Sequence, residues 1–238
     1  MNTPDFYNAL WTSSDTIKTD QKLWWMRKSA IEHSYALLGS IHGKKILEVG
    51  CGTGAQTVEF ARQGALVTAI DVSTESVEQA SKMARENGVS ADVLVMNGEQ
   101  LHFEDGLFDI IYIDAVLMHA DPEKVLREAS RVCREEGRVL VLEPLQYNPF
   151  SLPYRLFFSP YKKTKPHYMT LRKFKAFQKY FRTMQHKEFY FFSVLLFPFY
   201  SRGVPRMSGV VEAMDTATLR ALPFLRHLSW ITVVEYRK

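Results

Sequence analysis

A chain of 238 residues, 46% of them hydrophobic, is long enough to bury a full α/β core, which excludes a disordered tail or a small disulfide-held module. Its two cysteines, Cys51 and Cys133, are too few for a disulfide framework or a cysteine metal cluster and fit a reducing, cytoplasmic setting. The formal net charge of +4 hides a contrast: 10 Lys or Arg and no acidic residue lie between Pro144 and Lys187, leaving 20 basic against 26 acidic residues elsewhere.

The opening MNTPDFYNALW has acidic and polar residues where a secretory signal needs positive charge and then an apolar run. Residues 5–40 read as helical, with Trp24, Trp25 and Ile31 as apolar punctuation before Gly39. Apolar runs of strand length follow at 45–49, 66–70, 93–96, 109–113 and 138–142, with helical stretches at 55–63, 74–87 and 122–133 between them. Gly64, Gly88 and Gly137 stand where these helices should stop. Continuous apolar strands alternating with helices predict a parallel sheet covered on both faces, hence a doubly wound, Rossmann-like fold. After Leu142 the rhythm fails through a proline-rich excursion, and a helix capped by Thr170 is expected to resume, with Leu171, Phe174, Phe177 and Phe181 on one face. Two last strands are expected at 188–195 and 229–237, the final one antiparallel.

The stretch ILEVGCGTGAQ joins the first strand to a helix through Gly50, Gly52 and Gly54. Such a loop lets backbone approach a nucleotide, and the helix beyond it offers unpaired N–H groups. Asp71 ends the second strand, where a carboxylate can accept from a ribose diol; it could equally introduce the helix at Ser73-Thr74-Glu75. These features suit NAD and S-adenosylmethionine alike. Glu48 separates them, because a carboxylate inside the strand repels a pyrophosphate and suits a cationic, amino-bearing ligand. Asn97-Gly98-Glu99 after the third strand can read an adenine edge, and a closing antiparallel hairpin is foreign to the usual dinucleotide sheet. The balance favours S-adenosylmethionine.

ILEVGCGTGAQTVEFARQGALVTAIDVS resembles the first two motifs of class I S-adenosylmethionine-dependent methyltransferases. NGEQLHFEDGLFDIIYIDAVLMH and DPEKVLREASRVCREEGRVLVLEP are similar to the following blocks of the quinone-biosynthesis (UbiE/COQ5-like, methyltransferase type 11) branch. The resemblance spans about residues 44–144. It implies a seven-stranded sheet of order 3-2-1-4-5-7-6 in a single domain. It also implies a cofactor site of Glu48, Gly50, Cys51, Gly52, Gly54, Asp71, Val72, Asn97, Gly98, Glu99 and Asp114, with S-adenosylhomocysteine as product and no metal. Many relatives have Asp where Asn97 stands, but an amide can still serve adenine.

Residues 145–185, inserted between strands five and six, are expected to form a basic, aromatic lid over the acceptor, with a helical cap from residues 1–40. Tyr7, Trp11, His119, Tyr147, Arg155 and His167 are the candidate acceptor contacts. His119 can serve as general base toward an O–H or N–H, since its unperturbed pKa is near 6.5; with Asp114 it is the candidate catalytic group. The basic segment admits three explanations: a solvated helix face, a site for an anionic and partly apolar acceptor such as a phosphorylated isoprenoid or lipid-linked precursor, with an apolar isoprenoid or quinone precursor as the wider acceptor class, or contact with an anionic membrane surface. Phe189–Tyr200 can line a greasy tunnel or form a buried strand. RNA methylation and S-adenosylmethionine binding without catalysis are the alternatives. Nucleic acid is the weaker partner, because no RNA-binding module accompanies the basic segment.

Overall fold

The computed structural model describes residues 26–157, 166–200 and 208–238, with residues 197–200 in backbone only. Its centre is a seven-stranded sheet: β1 Lys45–Val49, β2 Leu66–Asp71, β3 Asp92–Val95, β4 Phe108–Asp114, β5 Cys133–Pro144, β6 Thr183–Phe189 and β7 Ile231–Arg237. The order is β3-β2-β1-β4-β5-β7-β6, as expected, with β7 antiparallel to both of its neighbours. β1 pairs in parallel with β2 and β4, so its carboxyl end lies between Ile70 and Ile113. The continuous apolar runs explain this centre. Ile110, Ile111, Tyr112 and Ile113 are at most 3% exposed, and each fully buried side chain of this size contributes roughly 1.5–3 kcal/mol. A strand with both faces that dry belongs in the middle of a layered α/β sheet.

The helices start and stop by local chemistry. α1 (Lys28–Leu38) ends at Gly39 with a positive φ of 61°. α2 (Ala55–Arg62) begins at Gly54, and Gly64 follows it. α3 (Thr74–Glu86) is capped by Ser73, whose hydroxyl accepts from the Ser76 N–H. α4 (Pro122–Val132) has Pro122 in its first turn and Asp121 accepting from the Glu123 and Lys124 N–H groups, with Val125, Leu126, Ala129 and Val132 buried along one stripe. α5 (Leu152–Phe157) and α6 (Leu171–Phe177) follow β5, and α7 (Ser208–Ala221) precedes β7. Thr170 caps α6 as its position suggests, accepting from the Lys173 N–H, and Phe174 and Phe181 are buried below it.

Two expectations fail. The strand foreseen at 188–195 lies at Thr183–Phe189, and the apolar run beyond it turns into a 3-10 segment, Ser193–Tyr200. The cause is Asp215, far away in sequence and 3% exposed. Its carboxylate accepts from the N–H groups of Phe191, Phe192 and Ser193 and from the Ser193 hydroxyl, taking donors that a ladder would need. Tyr190, at φ 64°, makes the turn into that nest. In addition, Gly137 does not stop a helix: α4 ends at Val132, within a residue of the expected 122–133, and β5 already begins at Cys133. Gly137 instead permits close packing, since a Cβ there would lie 2.6 Å from the Cys133 sulfur and 2.9 Å from the Asp109 carbonyl oxygen. The N-terminal helix is seen as α1 only, because residues 1–25 lie outside the described residues.

The excursion after β5 is stitched to the body. Leu145 bridges Met169, which is fully buried, and the His167 N–H reaches the Met118 carbonyl beyond β4. Asn148, 1% exposed, donates to the Phe191 and Leu228 carbonyls while its own oxygen receives the Ser151 N–H.

Candidate active site

The β1–α2 turn is built around left-handed glycines. Gly50, Gly52 and Gly54 have φ of 80°, 51° and 89°. A Cβ on Gly50 would lie 2.3 Å from a Val116 methyl, and one on Gly54 would lie 2.7 Å from the Ala80 Cα. The glycines therefore serve close packing against the β4 loop and α3 as well as backbone access. The Gly50 and Cys51 N–H groups both reach the Ile70 carbonyl. Cys51 is buried, its thiol pushed up well above the usual range by burial, so it fills space and is not a reactive thiol.

Carboxyl groups surround this turn. Asp71 ends β2; its two oxygens receive the Gly52 N–H at 3.0 Å and the Ser73 N–H at 2.9 Å. The Val72 N–H also acts on this carboxylate, which accepts hydrogen bonds only and so suits the hydroxyls of a ligand diol. Burial raises the Asp71 pKa against those hydrogen bonds. Val72 follows it, half-buried. Glu48 is 3% exposed and takes a hydrogen bond from the Thr57 hydroxyl in α2. Its pKa is pushed up to about 8 by burial, opposed by Thr57 and reinforced by the charges of Asp114 and Asp71. Asp114, at the end of β4, is gripped by Arg27 just ahead of α1 and receives the Gln56 amide at 3.1 Å. Ala115, next in the chain, is a non-glycine residue at φ 55°, and such strain is held only where the surroundings over-determine it.

Beyond β3, the Asn97 oxygen receives the Glu99 N–H in a tight local turn. Glu99 itself turns to α4, accepting from the Asp121 N–H with Lys124 at 3.5 Å. Gly98 lies against Val49, 2.8 Å from where its Cβ would sit. Asn97 is exposed and Gly98 half-buried after β3, while Glu99 is committed to the start of α4.

This donor set fits a cationic ligand that carries a sugar diol. Four carboxyl groups, Glu48, Asp71, Asp114 and Glu143, stand at or near the carboxyl ends of adjacent strands, and Arg27 pairs with Asp114. Among the described residues no group of three His, Cys, Asp or Glu is arranged to hold a metal ion.

A family model matches the segment that carries the glycine turn. Residues 47–141 match the family model described as "Methyltransferase domain". Over these residues the chain is similar to a methyltransferase domain. It is 38% identical over 105 residues to the ubiquinone biosynthesis O-methyltransferase of Actinobacillus pleuropneumoniae serotype 5b (strain L20), covering 41% of this chain and 44% of that protein. It is 38% identical over 112 residues to the ubiquinone/menaquinone biosynthesis C-methyltransferase UbiE of Vibrio parahaemolyticus serotype O3:K6 (strain RIMD 2210633), covering 44% of this chain and 43% of that protein. The chain thus spans less than half the length of these two curated relatives. In fold it is similar to a phosphoethanolamine N-methyltransferase 2 of Haemonchus contortus, with TM-score 0.72 at 14% identity over 100% of this chain and 60% of that one. The three differ in the atom they name as acceptor, oxygen, carbon or nitrogen, so the methyltransferase domain by itself leaves that choice open.

The residues expected around an acceptor are only partly among the described ones. Tyr7 and Trp11 lie outside the described residues. Tyr147 is 54% exposed, and His167 is exposed as well. Arg155 faces inward: its guanidinium donates to the Gln146 and Leu145 carbonyls at 3.0 and 2.7 Å and lies 3.9 Å over the Tyr168 ring. Burial lowers its pKa to about 10. It secures the turn after β5 and has little left for bidentate recognition. His119 is pushed down to about 4 by burial and is neutral at physiological pH. The basic segment is partly spent on ion pairs as well, Lys179 with Glu123 and Arg182 with Glu135 and Glu136.

Four residues of the methyltransferase domain and its cap went unread in the sequence: Arg27, Gln56, Thr57 and Glu143. Glu143 is fully buried at the end of β5, with one oxygen on the Leu117 N–H and the other without a hydrogen-bond partner among the described residues. Burial, with help from Asp114, pushes it up to about 8. A charged residue closing the run VLVLE was the available signal. Arg27 and Gln56 offered none, since only folding brings them to Asp114.

Proposed function

We propose that the protein binds S-adenosyl-L-methionine in the glycine-turn crevice and catalyses transfer of its methyl group to a small, largely apolar acceptor of the quinone-precursor kind, with S-adenosyl-L-homocysteine as product. The observation that carries this reading is Asp71, an acceptor carboxylate that ends β2 and is held against the glycine turn by the Gly52 and Ser73 N–H groups. When bound, the cofactor supplies a methyl carbon activated by a sulfonium. Asp71 would hold the ribose hydroxyls, Gly52 and Gly54 would admit the methionine part, and Asn97 with Gly98 would face the adenine. Asp114, already paired with Arg27, would set the charge at the floor of the crevice. The chain's main contribution is alignment, because His119, held neutral with a depressed pKa, is a weak base. The relatives named for ubiquinone and menaquinone biosynthesis support the acceptor class.

Peripheral contact with an anionic membrane is part of the same reading. Leu152, Leu156 and Phe157 on α5 are 50%, 59% and 68% exposed, ahead of the basic stretch at 162–165. Among the described residues no helix is long and apolar enough to cross a membrane. The ion pairing of Lys179 and Arg182 argues against an RNA-tracking surface.

Calorimetry with S-adenosylmethionine is the direct test. Wild-type protein binds and Asp71→Ala loses about tenfold or more in affinity, the scale of a lost pair of hydrogen bonds to a charged group. Equal affinity in the two proteins removes Asp71 from the site. Labelled cofactor incubated with cell extract, then fractionated into lipid, RNA and small-molecule pools, identifies the acceptor class; label in RNA overturns the reading.

A further inference from the structure

Away from the crevice, a cavity of about 670 Å³ opens between α1, β6 and α7, a volume within the range of small-molecule sites. Ser29, His33 and Leu37 face it from α1 at four-residue spacing, and β6 forms its floor. Phe189 gives the floor an apolar surface, with His33 packed on its ring at 5.5 Å and Lys187 5.1 Å above it.

The charges around the cavity are unevenly committed. Its acids are turned inward. Asp215 receives four donors from Phe191, Phe192 and Ser193. Glu188, 8% exposed, is held by His186 at 2.6 Å and by the Thr232 hydroxyl at 3.2 Å. Glu212 receives the Ser29 hydroxyl. Its bases lack such partners: among the described residues Lys187, Arg220 and Arg226 have no carboxylate within ion-pair reach. Arg226 spends only its Nε, on the Leu219 carbonyl at 3.4 Å. His186, its imidazolium favoured by Glu188, faces Arg226. The three carboxylates that line the cavity are each engaged by hydrogen bonds, while the three cations at its rim make no ion pair among the described residues, so the cations are the groups open to an anion.

We propose that this cavity is a binding site for a small amphiphilic anion, a phosphate or carboxylate joined to an apolar chain, separate from the strand-edge crevice. The anionic group meets Arg220, Arg226 and Lys187 at the rim, and the apolar part lies over Phe189 and Leu37. The site goes beyond the methyl-transfer reading and stands or falls independently of it.

Calorimetric titration of the full-length protein with octyl phosphate, kept below its micelle concentration, tests this, with octanol as the uncharged control. Octyl phosphate binds at least tenfold more tightly than octanol. The double variant Arg220→Gln/Arg226→Gln, and independently Lys187→Gln, each weaken it by about tenfold or more, the scale of one charge-assisted contact. Asp71→Ala leaves it unchanged. Equal binding of octanol, indifference to all the cavity variants, or loss in Asp71→Ala overturns the proposal. A parallel co-sedimentation with phosphatidylglycerol vesicles separates the two sources of the anion. Cavity-dependent binding of monomeric octyl phosphate supports a soluble ligand site. Vesicle binding that depends on the same cations, without any monomer binding, overturns it in favour of a lipid surface.

Discussion

At the carboxyl ends of β1, β2 and β4 the backbone sets the shape and the carboxylates set the charge. Three left-handed glycines hold the turn, and Glu48, Asp71 and Asp114 stand around it with Arg27 as counter-ion. On the flank formed by α1, β6 and α7 the reverse holds: side chains shape the cavity, acids are spent on internal bonds, and cations face outward. One region is intolerant of any added atom, while the other is bounded by groups that can move. The contrast explains why a cationic nucleoside ligand suits the first and an anionic amphiphile the second.

The sharpest way to break this comparison is to make one substitution in both regions. Gly54→Ala places a Cβ 2.7 Å from the Ala80 backbone at a φ of 89°, and the strain and overpacking together are expected to destabilise by about 2–5 kcal/mol. Gly209→Ala in α7 meets nothing within 4 Å and should stabilise by about 0.5 kcal/mol through helix propensity. Thermal melts of the two variants should move in opposite directions. If Gly54→Ala melts like wild type, the turn is not held as described.

Arg155→Ala comes next. It removes two charge-assisted bonds to carbonyls and a stacked contact with Tyr168, a loss of about 2 kcal/mol. Lys173→Ala, on the exposed face of α6, should stay within about 0.5 kcal/mol of wild type. Denaturant titration of the pair distinguishes a structural Arg155 from a surface one, for which both changes would be equally mild.

The smallest expected effect concerns pH. Glu48 and Glu143 titrate near 8 in the fold, against about 4.5 for an unhindered glutamate. A carboxyl with a raised folded pKa stabilises most below its unfolded value. That contribution is lost as pH rises toward the folded value, since the folded state binds the extra proton in between. Stability should therefore fall between pH 6 and 7, and Glu143→Gln should remove up to about 1 kcal/mol of that decline. An unchanged pH slope in Glu143→Gln would mean that Glu143 is ionised in the fold.

Much of the fold was legible because it is written in local patterns. The run KILEV, the Asp121-Pro122 cap and the Thr170 cap each state an element and its boundary within a few residues. The antiparallel last strand and the strand order followed from the motif resemblance. Strand six was misplaced because the sequence near Phe189–Tyr200 is apolar enough for a strand, and the competing acceptor, Asp215, lies some two dozen residues later. The candidate site divides in the same way. Gly50, Gly52, Gly54 and Asp71 are consecutive with the elements that aim them. Arg155 and His119 were offered for anion recognition and proton transfer on residue type alone, and burial changed what each can do.

The order of residues by itself determined the seven-stranded α/β plan, the glycine turn and the carboxylate that ends β2. These depend on periodicity, backbone freedom and spacing, which are properties of neighbours. Only the tertiary structure decided that Asp114 is paired with Arg27, that Arg155 is spent on carbonyls, that Glu143 is buried and that cations without counter-ions ring a cavity beside α1. Charge pairing and burial depend on distances between residues far apart in the chain, and those distances exist only after folding.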